Sequence, residues 1–249
     1  MAQRKSLVSW SGGKDSAYML YSLLFPQLSL ATRNAESNSA LDVFHADVAR
    51  LLTTVSSATS RIVMHDVRES LLDAQAKSIG IPVVKLRLPQ PCPNETYESI
   101  MRGAFIDAAS SGISCVAFGD LYLEDIRKYR EKTFKAYNSL PELSSISPIF
   151  PLWGLQTLLL AQDIIDKGFK AIVTCVDMKQ VPNAKLFIGR EYDKSFLADL
   201  PSTCDPCGEN GEFHTFVFDG PIFHHRIDVS VGDIYERGDF MYADLYEKP

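Results

Sequence analysis

In the first 137 residues, short apolar runs alternate with segments whose apolar residues recur at helical spacing. This pattern predicts strands separated by helices. Short apolar runs predict strands at 7–10, 50–55, 82–88 and 114–118. Helical spacing predicts helices at 16–25, 66–79, 94–110 and 121–137. Asp66, with Glu69 three residues on, fits a capping box, and Gly80 fits the helix end. Strands that alternate with helices form parallel sheets, so we predict an α/β domain.

The pattern changes after Tyr137, where Ser and Pro become frequent. Residues 138–153 predict a connection between domains, and 155–167 predict an amphipathic helix stopped by Gly168. Later apolar runs predict strands at 171–176, 213–218, 222–231 and about 240–246. We therefore expect a Rossmann-like parallel-sheet nucleotide domain over 1–138, followed by a smaller α+β domain for the acceptor substrate over 139–249.

One polar segment interrupts the first domain. Residues 26–47 are poorly patterned, although Leu41, Phe44 and Val48 keep helical spacing. We expect an insertion between the first helix and the second strand.

Composition and charge narrow the class of protein. Of 249 residues, 46% are apolar and 22% charged, as in ordinary globular proteins. No apolar run approaches the ~18 residues of a membrane span, and no signal peptide precedes the first strand. We expect a cytoplasmic protein with no membrane partner. The net charge of −6 disfavours nucleic acid as a binding partner. The sequence leaves the oligomeric state open, and a homodimer is one of the possibilities.

The first predicted strand leads into Ser-Gly-Gly-Lys-Asp-Ser, Ser11 to Ser16. Two adjacent glycines let successive backbone N–H groups converge on an anion at the start of a helix. Lys14 adds a mobile positive charge, and the two serines add hydroxyl donors. A Walker loop needs four residues between its glycines, a spacing that this segment lacks. The segment therefore predicts a phosphate site of another type, with a tight structural turn as the alternative.

Further nucleotide-site candidates follow other predicted strands. Gly119 and Asp120 follow the strand at 114–118, and ligands of parallel sheets bind at that edge. We expect Thr53 and His65 to contact the nucleotide as well. Asp15 and Asp120 are the candidates for Mg²⁺, although either could merely cap a helix.

Two arginines and a cysteine pair leave their roles open. Arg127 and Arg130 could reach phosphate, or form a solvated basic face with Glu124 or Glu131. Cys204 and Cys207 have the spacing of half a zinc site or of a redox pair, without a second such pair.

The C-terminal half contains a dense polar segment, Cys207-Gly-Glu-Asn-Gly-Glu-Phe-His-Thr215. Glu209, Glu212 and His214 supply acid, base or ligand groups within six residues. Carboxylates can bind an amine or a cationic group on an acceptor, so we expect an acceptor pocket. A β-turn with solvated carboxylates is the structural alternative.

Five segments together resemble the diphthine-ammonia ligase family, in the adenine nucleotide alpha hydrolase superfamily of PP-loop ATP pyrophosphatases. The segments are 11–16, 65–68 with Gln75 and Ala76, 118–120 with Arg127, Arg130 and Glu131, 151–154, and 208–215. The resemblance spans nearly the whole chain except about 26–48. Residues 123–127 and 208–212 differ from members that act on elongation factor 2 and resemble a bacterial-type branch.

The resemblance implies a nucleotide domain of the HUP type and an ATP-dependent amide ligase. With ATP and Mg²⁺, a carboxylate on a small molecule or a modified protein side chain would become an acyl-adenylate, releasing pyrophosphate. Ammonia would then displace AMP. Gly12, Gly13, Lys14 and both serines would hold phosphate, and 209–212 would line the acceptor site. The catalytic candidates are Lys14, Asp15, Asp120, Arg127, Glu209 and Glu212.

Two other functions compete with the ligase. The same loop serves RNA thiolation or lysidine-type modification, which the Cys204–Cys207 pair weakly favours and the acidic charge opposes. A non-catalytic sensor that uses ATP to set its conformation is the second alternative. A separate glutamine-hydrolysing unit has no room in the chain, so free ammonia or another small amine is the simplest nitrogen source.

Overall fold

The computed structural model describes residues 4–29 and 46–248, which group by contacts into two units. The first unit contains 4–10, 19–29, 46–59 and 81–155. The second contains Ser11–Tyr18, Ser60–Gly80 and 156–248. The described helices are α1 (Lys14–Leu24), α2 (Glu69–Ile79), α3 (Asn94–Ser110), α4 (Glu124–Tyr137), α5 (Thr157–Asp166) and α6 (Lys194–Asp199). The predicted boundary between a nucleotide domain over 1–138 and an acceptor domain over 139–249 stays a prediction.

The first unit contains a five-stranded parallel sheet. Its strands are β1 (Arg4–Ser9), β2 (Ala46–Ser56), β3 (Val83–Leu88), β4 (Ile113–Ala117) and β5 (Ser147–Ile149). Their spatial order is β3-β2-β1-β4-β5, and every neighbouring pair is parallel. Apolar side chains from the sheet, α3 and α4 form its core, including Leu7, Val116, Phe105 and Phe134. The predicted Rossmann-like α/β fold is confirmed.

The second unit contains a four-stranded antiparallel sheet. Its strands are β6 (Lys170–Asp177), β7 (Phe213–Asp219), β8 (Val229–Arg237) and β9 (Phe240–Glu247). The order is β7-β6-β9-β8, so β7 and β8 are the edge strands. Buried rings of Tyr192, Phe196 and Phe213 pack against one another with centroids 5.2–6.0 Å apart. The predicted α+β character of this part is confirmed.

The capping box at Asp66 is wrong. Asp66 has a φ of +54°, and α2 begins three residues later, at Glu69, without a side-chain cap on the preceding Arg68. The Asp66 carboxylate instead accepts hydrogen bonds from the Tyr235 hydroxyl and, at 2.9 Å, from Arg237. Distant cationic and hydroxyl groups therefore compete successfully for a side chain whose sequence position suits a cap.

Two further elements differ from the sequence-based prediction. The expected connection at 138–153 contains β5. Its proline argues against a strand in the sequence, because proline is tolerated only at a sheet edge. The strand expected at 222–231 begins at Val229. Upstream, the His224 N–H donates to the Ser78 carbonyl at 2.9 Å and not to a neighbouring strand.

The predicted insertion lies mostly outside the described residues. Pro26–Leu28 form a short 3₁₀ helix, and 30–45, which include Leu41 and Phe44, are not described. Val48 lies in β2, so its assignment to a helical pattern is wrong. In the described part of the chain, no helix has the length and apolar character that crossing a membrane requires.

Candidate active site around the phosphate loop

The segment Ser11–Ser16, called here the phosphate loop, begins just after β1 and runs into the first turn of α1. The Gly13 N–H donates to the Ser11 hydroxyl oxygen at 3.3 Å. The Ser16 hydroxyl lies 2.9 Å from the Gly13 carbonyl and 3.2 Å from the Ser11 hydroxyl. The two serines thus brace the turn from both sides. Beyond it, the N-terminus of an eleven-residue helix favours a nearby anion.

Both glycines are required by their surroundings. Gly12 has a φ of +78°, which side-chain-bearing residues rarely adopt. A Cβ on Gly13 would lie 3.0 Å from the Thr215 carbonyl oxygen and 3.1 Å from the His65 ring. A side chain at Gly12 would therefore be strained by its backbone angle, and one at Gly13 would push against the Thr215 carbonyl and the His65 ring.

Residues of β7 form hydrogen bonds with backbone groups of the phosphate loop. The Val217 N–H donates to the Gly12 carbonyl at 2.9 Å, and the Lys14 N–H donates to the Thr215 hydroxyl at 3.1 Å. The buried Gln75 side chain in α2 also donates to the Gly12 carbonyl, at 3.0 Å. Neither Thr215 nor Gln75 was among the predicted site residues. Their only signal was membership of segments that carried the family resemblance.

Lys14 is buried and paired, so the expectation of a mobile positive charge is wrong. Its side chain is 2% exposed, and its ammonium donates to Asp15 at 2.9 Å and to the Cys207 carbonyl. The rings of Tyr192 and Phe213 lie 5.4 and 5.2 Å from the ammonium nitrogen. Burial opposes the charge, but the nearby carboxylates of Asp15 and Glu209 raise the pKa of Lys14 overall. Lys14 is therefore charged and held in place.

Asp15 has one carboxylate oxygen committed and one without a partner. Oδ2 pairs with Lys14, whereas Oδ1 is buried and lacks a hydrogen-bond partner among the described atoms. A buried carboxylate oxygen is costly to leave unpaired. This oxygen is therefore the atom of the loop that most clearly calls for an added donor or cation.

Two histidines whose rings contact each other at a tilt of 35° adjoin the phosphate loop. The His65 and His214 rings lie with centroids 4.6 Å apart, and His65 Nδ1 is 3.3 Å from the Thr215 carbonyl. Because a carbonyl only accepts, the proton of neutral His65 lies on Nδ1. Burial lowers the pKa of His65 to about 4, with the charge of Lys14 acting in the same direction. Burial lowers the pKa of His214 as well, reinforced by His65 and Lys14, so both rings are neutral near pH 7.

The first part of the polar segment 207–215 belongs to a loop, 205–212, that is held by hydrogen bonds between its own residues. It is called here the acidic loop. The buried Glu212 carboxylate accepts the N–H groups of Asp205 at 2.8 Å and of Asn210 at 2.9 Å. The Asp205 carboxylate accepts the N–H groups of Cys207 and Glu209. Glu212 thus holds the loop together, whereas Glu209 is half-buried and contributes to the field at Lys14.

The two cysteines of the Cys-x-x-Cys segment are buried thiols. Cys204 Sγ faces the Gln180 carbonyl and Cys207 Sγ faces the Thr157 carbonyl, at 3.7 and 3.3 Å. Burial raises the pKa of both thiols, and that of Cys207 well above its ordinary value. Such thiols are poor nucleophiles and poor ligands. Among residues 4–29 and 46–248, no group of three or more His, Cys, Asp or Glu side chains could hold a metal ion.

The remaining predicted site residues lie in the first unit. Gly119 and Asp120 follow β4, and Thr53 is buried in β2, which flanks the other side of β1. Both Asp120 oxygens are engaged by Arg130, at 2.7 and 3.2 Å. Arg127 pairs with Glu131 at 2.7 Å and lies over the rings of Phe150 and Trp153.

These contacts bear on the two predicted roles of Arg127 and Arg130, which are phosphate binding and a solvated basic face. The Arg130 guanidinium also stacks on Phe118, 4.1 Å from the ring centroid. Arg127 thus forms the pair with Glu131 that the basic-face alternative predicts, and both guanidinium groups also lie against aromatic rings. A role in binding phosphate, and the role of Asp120 in binding Mg²⁺, stay predictions.

The residues present fit a phosphate group and an associated cation in three respects. A Cβ at Gly13 would contact the Thr215 carbonyl oxygen at only 3.0 Å, a buried charged lysine adjoins the turn, and Asp15 Oδ1 has no partner. Magnesium in nucleotide sites needs only one or two carboxylates beside phosphate oxygens and water, so Asp15 is a suitable ligand. The metal cluster of three side chains that a zinc site requires is not needed here.

A comparison with protein families supports the resemblance for the C-terminal part. Residues 156–247 match the family described as diphthamide synthase C-terminal domain. The matched region is less than half of the chain and includes β6 to β9 and the acidic loop, but not the phosphate loop. No curated protein matches the chain. The match supports a relationship to diphthamide synthases and indicates an enzyme.

Proposed function

We propose that the protein is an ATP-dependent amide ligase of the diphthine-ammonia ligase type, of the bacterial-type branch and the PP-loop superfamily. It would convert a carboxylate into an amide with ammonia, releasing AMP and pyrophosphate. The observation that carries the proposal is the close-packed glycine turn tied to β7, a strand within residues 156–247, which match the diphthamide synthase C-terminal domain.

The proposed reaction has two balanced steps. An acceptor carboxylate oxygen bonds to the α-phosphorus of ATP while the bond to the β-phosphate bridge breaks, and pyrophosphate leaves. Ammonia then forms a C–N bond at the activated carbonyl carbon, the C–O bond to AMP breaks, and one proton is lost from nitrogen. Magnesium, when bound, neutralises phosphate charge in the first step.

Residues of this chain would serve mainly to bind and to orient. The Gly12–Gly13 turn and the N-terminus of α1 favour the anionic phosphates. Lys14 is charged but paired, so its contribution requires exchange of the Cys207 carbonyl for a phosphate oxygen. The Glu209 carboxylate, which helps to raise the pKa of Lys14, is the better candidate to meet the amine or acceptor, because the Glu212 carboxylate holds the acidic loop together.

The neutral histidines suit the proton that the second step releases. His65 has its proton on Nδ1, so Nε2 has a lone pair that can accept one. A base with a pKa lowered to about 4 holds that proton only briefly, which suits transfer onward to water.

Product analysis tests the proposal. The protein is incubated with ATP, Mg²⁺, ammonium and a panel of small carboxylates and peptide carboxylates, and nucleotides are separated by anion-exchange chromatography. We expect AMP and pyrophosphate in equal amounts, dependent on both ammonium and a carboxylate. ADP with phosphate would contradict the proposal.

A Glu209→Gln variant separates the ligase from a sensor. A sensor binds ATP without turnover, so this variant would change nothing measurable. For the ligase we expect at least about a tenfold loss of AMP formation with ATP binding retained, since one charge that faces the reacting groups is removed. Thiolation chemistry has no support from the buried thiols of Cys204 and Cys207.

A further inference from the structure

Strand β7 is an edge strand whose outer side is covered by groups from outside the sheet. Its other side pairs with β6. On the outer side, the Val217 N–H donates to the Gly12 carbonyl at 2.9 Å, and the Val217 carbonyl accepts from Gln75 at 2.6 Å. An uncovered edge would leave these backbone groups unpaired. The phosphate loop and Gln75 therefore take the place of a further strand.

Gln75 joins the two parts of this cover. Its side chain is fully buried, and its single amide nitrogen donates to the Gly12 carbonyl at 3.0 Å as well as to Val217. The Gly12 carbonyl oxygen consequently receives two N–H groups, one from β7 and one from α2. Both lone-pair directions of that oxygen are in use.

Fixing the Gly12 carbonyl also fixes the next N–H group. A trans peptide is planar, with its C=O and N–H pointing in opposite directions. The Gly12 carbonyl and the Gly13 N–H belong to one such plane, so the two bonds to the oxygen set the direction of the Gly13 N–H. In this structure that N–H donates to the Ser11 hydroxyl oxygen at 3.3 Å, a bond that it would exchange for one to a phosphate oxygen. A side chain at Gly12 would be strained, because its φ is +78° and a Cβ there would lie 2.7 Å from Gln75 Oε1.

We propose that Gln75 is a positioning residue of the phosphate loop, which aims the Gly13 N–H at a phosphate group by holding the Gly12 carbonyl against β7. The inference rests on the proposed ATP site and deepens it. Gln75 does not touch the ligand. It acts through the orientation of one peptide group.

The test compares two substitutions in α2. Gln75→Met keeps the length and burial of the side chain but removes the amide donor. Ser78→Ala is the matched control, because the buried Ser78 hydroxyl donates to the His225 carbonyl from the same helix without contacting the loop. Each protein is titrated with inorganic pyrophosphate in the presence of Mg²⁺ by calorimetry and by ¹⁵N-resolved NMR of the Gly13 amide.

We expect Gln75→Met to bind pyrophosphate about tenfold more weakly, the effect of one misdirected hydrogen bond. Its Gly13 amide should lose most of the ligand-induced shift, whereas Ser78→Ala should match the wild type in both readouts. If Gln75→Met does not fold, Gln75→Glu replaces it, with the same expected loss at pH 8.

The outcomes separate the inference from the proposed function. Equal pyrophosphate affinity and an unchanged Gly13 shift in wild type and in the folded Gln75 variant would overturn the role of Gln75 while leaving the ATP site intact. No binding of pyrophosphate or ATP by the wild type would overturn the proposed function and the inference with it.

Discussion

At the scale of single residues, the structure changes the meaning of Lys14 more than that of any other predicted residue. From the sequence it is a flexible cation beside two glycines. In the structure its ammonium is surrounded by Asp15, the Cys207 carbonyl and two aromatic rings. The charge of Lys14 therefore stabilises the folded protein in addition to any role in binding a ligand. Substituting Lys14 would change both stability and binding, and the two effects must be measured separately.

Replacing Lys14 should destabilise the protein through its partner. In Lys14→Met the Asp15 carboxylate is left without its cation, so we expect the free energy of unfolding to fall by about 2 kcal/mol. The double variant Lys14→Met/Asp15→Asn, which has no unpaired charge, should recover part of that loss. Urea denaturation measures both, and a single variant as stable as the wild type would contradict the buried pair.

The lowered pKa of His65 predicts a dependence of stability on pH. The pKa of His65 is about 4 when folded and near its ordinary 6.5 when unfolded. Between these values the unfolded chain binds more protons, so stability rises with pH from 4 to 6.5 and is lost as pH falls through that window.

His65→Phe isolates this effect because it keeps a ring and removes the titration. Between pH 7 and pH 4.5 we expect the wild type to lose about 1–2 kcal/mol more unfolding free energy than the variant. Parallel urea unfolding curves at the two pH values measure the difference. Identical losses would show that His65 does not titrate in this window.

At the scale of elements, the segment before α2 is held by charged groups and not by a cap. The Asp66 carboxylate contacts Tyr235 and Arg237 of β8, and Asp244 of β9 pairs with Arg61 at 2.8 Å and with Arg68. Because His65 lies between the anchored residues, the cluster also determines where that ring sits.

Asp66→Ala should therefore cost more than an ordinary surface ion pair. The side chain is 9% exposed, and its removal takes away the carboxylate that pairs with Arg237 and accepts from the Tyr235 hydroxyl, so we expect a loss of about 2–3 kcal/mol. Asp166→Ala, which removes an exposed pair with Lys194, is the control and should cost less than about 0.5 kcal/mol. Thermal unfolding of both variants ranks the two losses, and equal losses would contradict an anchoring role.

Local sequence signals account for most elements but not for their partners. The period of α3 and the glycine after α2 predict those helices well, since side-chain spacing and a left-handed terminal residue are local properties. The three-residue β5 and the bonding of Asp66 escaped prediction because both depend on distant parts of the chain.

At the scale of the whole molecule, two motifs far apart in sequence belong to one unit. The phosphate loop groups with residues 156–248, and Lys14 donates to the Cys207 carbonyl within the acidic loop. The glycine and glutamate motifs were predictable from residue type and spacing. The groups that position them, Gln75, Thr215 and a backbone carbonyl, were not, because hydrogen-bonding partners are chosen by tertiary structure.

Calorimetric titration of Mg·ATP into three proteins tests whether the phosphate loop holds ATP. Gly13→Ala places a Cβ 3.0 Å from the Thr215 carbonyl, whereas Gly103→Ala in α3 places one in open space. We expect saturable binding by the wild type and by Gly103→Ala, and binding at least about tenfold weaker by Gly13→Ala. Equal affinity in all three proteins, or no binding by the wild type, would contradict the account.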